Sequence, residues 1–143
     1  MRLTSREKEA KRRAEAEALF PVRGEIRASL REAGIYVIGF SDYLKIGISD
    51  CLIDRLIGLQ NHLPEQLILY ATHRGGRELE GQLHARFREY RTRGEWFKNT
   101  GILKEWTDAG CVLPFYRLTT ITGGLEKPSI RTVQPSGAAR NGR

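Results

Sequence analysis

The sequence predicts an α+β fold, a small three-stranded antiparallel sheet flanked by helices, and three observations carry that prediction. Two short β-branched runs, residues 35–40 and 43–48, are separated only by Ser41-Asp42 and read as a β-hairpin. Two amphipathic stretches follow: Leu52, Leu56, Leu59 and Leu63 recur at spacings of four, three and four, and Leu79, Leu83 and Phe87 are four apart. Between them residues 67–72 form one more apolar run, closed by Gly75-Gly76, and read as a third strand. A sheet this small needs helices to cover it, hence the layered α+β architecture.

The remaining elements follow in chain order. Residues 5–20 are rich in Glu, Lys, Arg and Ala, with Ser5 as a candidate N-cap, so a solvated helix is expected there, ended by Pro21. Ile26, Leu30 and Ala33 form one weak apolar stripe and predict a short helix over 24–32. Ser49-Asp50 opens the first amphipathic helix and Pro64 closes it; the second is expected over 77–90. After Gly94 the chain reads as a short loop, with Trp96 and Phe97 anchoring it in the core, and then a last helix near 101–109. Residues 111–121 predict an extra strand, and from 123 onward a Gly/Ser/Pro/Arg-rich stretch predicts disorder. The organisation is thus a basic helical N-terminal extension (1–33), one domain (34–121) and a disordered basic tail (122–143).

The formal net charge of +7 is unevenly placed. Residues 1–33 hold nine basic and six acidic side chains (+3) and residues 117–143 hold five and one (+4), leaving ten of each between. A neutral core with basic flanks suits a polyanionic partner, although charged ends also simply keep a chain soluble. Cys51 and Cys111 stand alone, without CxxC or Cys/His spacing, which argues against a disulfide framework or a structural zinc. No segment approaches the ~18 consecutive apolar residues of a membrane span, so a cytoplasmic protein that avoids the membrane is expected.

The chemistry-bearing motifs lie between residues 34 and 97: GIYVIG (34–39), KIGIS (45–49), Asp54-Arg55-Leu56, LEGQLH (79–84) and GEWF (94–97). Each is weak alone; in this order and spacing, over roughly residues 34–110, they resemble the GIY-YIG endonuclease superfamily. The chain looks like the phage-type branch in which KIG replaces YIG. That resemblance implies a metal-dependent endonuclease that hydrolyses DNA phosphodiester bonds with one Mg²⁺ or Mn²⁺ ion, in a bacterial, phage or prophage setting.

The resemblance also implies roles for particular residues, and their chemistry is compatible with those roles. Tyr36 on the first strand would hold and help activate the attacking water. Lys45 stands at the second tyrosine of the family name and can hold a phosphate, but is a poor base unless burial lowers its pKa; Tyr43, two residues earlier, shares its side of the strand. Gly39 and Gly47 allow close approach near the strand ends. Arg55 can grip non-bridging phosphate oxygens in a bidentate manner. Glu80 inherits the metal-ligand role, with Glu78 as the nearby alternative, because Mg²⁺ is commonly bound by one carboxylate plus phosphate and water. His84, one helical turn from Glu80, is a candidate for proton transfer or phosphate contact, or is simply packed. Glu95 and Asn99 remain equal candidates for the polar residue that helps the site. Arg86, Arg88, Arg91 and Arg93 form a basic patch that could track a DNA backbone, although a solvated helix face explains it almost as well.

Two rival readings share these residues. One is a catalytically inactive DNA-binding module of the same fold, to which the missing YIG tyrosine points. The other is an accessory domain directed to RNA or to a protein. A chain of 143 residues leaves little room for a separate specificity domain, so weak sequence preference or a protein partner supplying specificity is expected.

Overall fold

A computed structural model describes residues 2–113 of the chain. Its elements are α1 (Ser5–Glu17), β1 (Gly34–Phe40), β2 (Tyr43–Ser49), α2 (Leu52–Gln60), β3 (Ile68–His73), α3 (Arg77–Arg86), a 3-10 turn (Arg88–Tyr90), β4 (Arg91–Arg93), β5 (Trp96–Lys98) and α4 (Gly101–Asp108), all within one compact unit, Met1–Cys111. Residues 111–113 are not in a strand, and the rest of the strand expected over 111–121, like the tail expected from 122, lies outside the described residues.

The central hairpin and its third strand form as the sequence predicts, antiparallel throughout. The sheet nevertheless has five strands, in the order β3-β1-β2-β5-β4, and not three. The extra pair is a second hairpin, β4 and β5, where the sequence reads as a loop. Gly94 turns it in the left-handed conformation (φ 58), and β5 pairs with β2 through Tyr43↔Lys98, Leu44↔Phe97 and Lys45↔Trp96. Arg91, Thr92 and Arg93 are all exposed, so β4 carries no apolar alternation by which a strand is recognised.

The helix expected over 24–32 is absent. Residues 22–28 run beside the outer edge of β3, in parallel bridges Val22↔Leu69 and Ile26↔Thr72, with Arg23 N donating to Leu69 O (3.0 Å) and Thr72 N to Glu25 O (2.9 Å), and the chain then turns at 29–32, where Glu32 N donates to Ser29 O (2.9 Å). Ile26, Ala28 and Leu30 are buried at a spacing of two, and the spacing of four between Ile26 and Leu30 fits a strand as well as a helix. The segment covers an otherwise bare sheet edge.

The cap of α1 is Thr4, one residue before the expected Ser5: Thr4 Oγ1 accepts from Glu7 N (3.1 Å) while Glu7 Oε1 accepts from Thr4 N (2.8 Å), a capping box. Its arginines hold the extended segment, Arg12 Nε donating to Ile26 O (3.2 Å) and an Arg13 terminal nitrogen to Gly24 O (2.7 Å). Ala16 and Phe20 pack with Ile26, Ala28 and Leu30 against Tyr36, Ile38, Leu52, Leu56 and Leu69, so residues 1–33 help build the core over one face of the sheet. On the opposite face α3 packs on β2 and β5, and α4 packs against the end of α3. The His84 ring meets Phe97 edge-on at 5.2 Å, and Phe87 packs on Trp106 at 5.1 Å.

Candidate active site

Register decides which side chains meet. Opposed residues of an antiparallel pair share a face, so Tyr36↔Gly47, Ile38↔Lys45 and Lys45↔Trp96 set Tyr36, Lys45 and Trp96 on one side of β1, β2 and β5. At Gly47 the missing side chain leaves room. A Cβ there would lie 2.5 Å from Tyr36 Oη and 2.8 Å from Glu95 Oε1, so the phenol and that carboxylate both occupy the space above the glycine. Glu95 reaches this point from the β4–β5 turn, with its backbone oxygen accepting from Ile46 N at 3.2 Å.

Arg55 and Glu80 approach the same point from two helices. The first N–H groups of α2 are satisfied by backbone rather than by a side-chain cap, with Leu52 N donating to Glu32 O (3.0 Å) and Ile53 N to Leu30 O (2.7 Å). Ser49 Oγ accepts from Cys51 N (3.1 Å) and fixes the entry to the helix. The turn at residues 29–32 therefore helps set the position of Arg55. α3 crosses β2 just past the end of β5, where Ile46 O accepts a hydrogen bond from His84 Nε2 (2.8 Å); Glu80 stands one turn earlier on that helix.

The electrostatics follow from this packing. Burial pushes the Tyr36 phenol above its ordinary range and the Glu95 charge pushes it further. The Arg55 guanidinium beside it pulls the other way, and Glu80 adds a smaller upward push. Arg55 lies near the phenol without hydrogen-bond geometry, and Tyr36 Oη is buried with no partner. The Glu80 carboxyl is likewise raised, first by burial and then by the adjacent Glu95 charge; His84 and Arg77 oppose the rise. Its Oε2 is the second orphaned oxygen of the site. Lys45 Nζ lies 3.4 Å from Glu95 Oε1 and 5.3 Å from the centre of the Trp96 ring, and its side chain is only 15% exposed.

Two unpartnered buried oxygens beside two carboxylates are a poor arrangement for an isolated protein and a good one for a hydrated cation. Among the described residues no group of three or more His, Cys, Asp or Glu side chains could cage a metal. A donor set this small, the Glu80 carboxylate with Glu95 close by, is of the kind that suits a cation keeping most of its water.

The structure thus brings Tyr36, Lys45, Arg55, Glu80 and Glu95 together and separates others from them. Glu78 is exposed. Asn99 donates its backbone N–H to Asp42 O (2.9 Å) and receives the Thr107 hydroxyl at 3.4 Å, beside the β1–β2 turn at the other end of the hairpin. Tyr43 lies at that end too, exposed, with Lys98 Nζ 5.2 Å above its ring. Arg91 is engaged with Gly94 O (2.6 Å), and Arg86, Arg88 and Arg93 are exposed, with desolvation pulling the Arg86 guanidinium below the ordinary arginine range. Trp96 is a residue that sequence reasoning misplaced. It was expected in the core, but only Phe97 is buried, and Trp96 turns to the site face as strand alternation requires.

Residues 33–111 match the T5orf172 domain, and the chain belongs to that family. The family is a phage-associated, nuclease-like DNA-binding domain. No curated protein matches the chain. No solved structure matches it. Among the described residues no helix is long and apolar enough to cross a membrane.

Proposed function

We propose that this chain is an endonuclease of the GIY-YIG type, cutting DNA phosphodiester bonds with a single Mg²⁺ or Mn²⁺ ion. The observation that carries this reading is the pair of orphaned oxygens, Tyr36 Oη and Glu80 Oε2, beside Arg55. Hydrolysis adds water across one P–O bond, so the site must hold the water, steady the phosphate as charge builds on it, and tolerate the leaving oxygen.

Tyr36 is kept protonated by burial and by Glu95, and its free oxygen lone pairs can accept a hydrogen bond from the attacking water. Arg55, exposed at the rim, offers a planar fork to the non-bridging oxygens. Glu80, with Glu95 beside it, would hold the ion. An ion held there would supply Lewis-acid stabilisation of the phosphate and would offset the repulsion between the two carboxylates. Lys45 balances Glu95 and restrains it, a charge role that a tyrosine could not take. His84, tied through Nε2 to the Ile46 carbonyl, orients α3 rather than carrying protons by that nitrogen.

The test is incubation of supercoiled plasmid DNA with the protein in Mg²⁺ and in EDTA, with nicked or linear product expected only in Mg²⁺. The rival reading, DNA binding without cleavage, rests on Lys45 in place of the tyrosine. It predicts retarded but intact plasmid in both.

A further inference from the structure

Beyond the Tyr36–Glu80 cluster, the same sheet face carries an open groove of about 380 Å³ lined by Phe40, Tyr43, Thr92, Arg93 and Trp96. That volume lies toward the low end of small-ligand sites, ~300–1,000 Å³. Its walls are aromatic, and each of two rings carries an ammonium over one face: Lys45 Nζ lies 5.3 Å from the Trp96 ring centre, and Lys98 Nζ lies 5.2 Å from that of Tyr43. Tyr43 is 38% exposed, and all the lining residues belong to the hairpins. Aromatic faces framed by cations are what an unpaired base and its flanking phosphates require, because any base has a π-face and its backbone needs neutralising. Paired bases cannot enter, since their faces are covered by stacking.

Lys45 joins the groove to the active site. It contacts Glu95 on one side and Trp96 on the other, and Tyr43 stands two residues along β2, about 7 Å away at ~3.3 Å per residue. A base in the groove would therefore belong to a nucleotide close to the phosphate at Tyr36 and Arg55.

We propose that this groove receives one unpaired nucleobase of the DNA, stacked against Trp96 and Tyr43 with the adjoining phosphates on Lys98 and Arg93. The chain consequently prefers DNA whose strand is unpaired beside the cut, such as a fork, a bulge or a single-stranded end. The inference deepens the nuclease reading and rests on it for the position of the cut, but the groove can be tested without cleavage.

The experiment is fluorescence anisotropy in EDTA with labelled dT12, a blunt duplex of the same length, and rU12. Wild type should bind dT12 more tightly than duplex. Trp96→Ala and Tyr43→Ala should each weaken dT12 binding about tenfold or more while leaving duplex binding within about twofold, a range typical of losing one base–aromatic stack. Near-UV circular dichroism checks that each variant keeps its fold, and Tyr43→Ala guards against a local effect of Trp96→Ala on the short β5. Equal losses on dT12 and duplex, no preference in wild type, or tighter binding of rU12 than of dT12 would overturn the proposal. Because no step requires the metal, a protein that fails to cut plasmid in Mg²⁺ but passes here would refute the nuclease reading alone.

Discussion

Tyr36 Oη and Glu95 Oε1 share the space above Gly47: a methyl group at position 47 would lie 2.5 Å from the first and 2.8 Å from the second. The glycine is thus a condition for the phenol and the carboxylate to meet. Gly47→Ala is expected to displace both, costing about 1–3 kcal/mol of stability by overpacking and lowering cleavage at least tenfold. Thermal melts and single-turnover rates measure the two effects. Normal melting and normal cleavage in this variant would mean that the crowding has no role.

Glu80 sets stability against function. Its folded pKa is raised, so the folded protein holds that proton more tightly than the unfolded chain and loses stability as pH rises from the ordinary glutamate range, ~4.3, through the folded value. Without metal, Glu80→Gln should therefore melt higher than wild type at pH 7.5, with the difference vanishing toward pH 4. Adding Mg²⁺ should raise the wild-type melting temperature and leave the variant unchanged, because only the carboxylate binds the ion. A variant that melts lower than wild type at pH 7.5 would contradict the charge crowding described.

Lys45 answers to Glu95. Lys45→Met should reduce single-turnover cleavage roughly 10²-fold with little change in DNA affinity. Their 3.4 Å ion pair is partly solvated, with side chains 15% and 37% exposed, so a stability cycle with Glu95→Gln should give a coupling of only a few tenths to about 1 kcal/mol. Unaltered cleavage in Lys45→Met would make the lysine a bystander.

His84 is expected to act through its hydrogen bond to Ile46 O. His84→Phe leaves that carbonyl unsatisfied and should cost about 1–3 kcal/mol of stability. His84→Gln, which keeps a donor, should retain most activity and the wild-type pH–rate profile. A loss of one limb of that profile in the glutamine variant would assign His84 a proton-transfer role instead.

The legible parts of this protein are those where local chemistry and periodicity agree. The motif order and the tight Ser41-Asp42 turn put Tyr36 and Lys45 on paired strands, and the leucine spacings put Arg55 and Glu80 on the two helices that follow. The choice between Glu95 and Asn99 could not be made, because it depends on the β4–β5 turn. That hairpin has three-residue strands, one of them wholly exposed, and its pairing with β2 is a tertiary event with little local signature. Residues 24–32 misled for a different reason: Ile26 and Leu30 satisfy both periods, and the deciding interaction, with β3, lies more than forty positions away at Thr72. The groove at Tyr43 and Trp96 was hidden for the first of these reasons, since it exists only once β4 and β5 pair beside β2.

The most direct test of the central claim compares wild type with Glu80→Ala and Arg55→Ala in single-turnover cleavage of plasmid DNA at saturating Mg²⁺, with DNA affinity measured in parallel. If Glu80 holds the ion and Arg55 the phosphate, wild type cuts, both variants lose cleavage by at least 10²-fold, and Glu80→Ala keeps nearly all of its DNA affinity. Cleavage by Glu80→Ala at the wild-type rate, or a wild type that binds the plasmid and leaves it intact in Mg²⁺, would contradict the account.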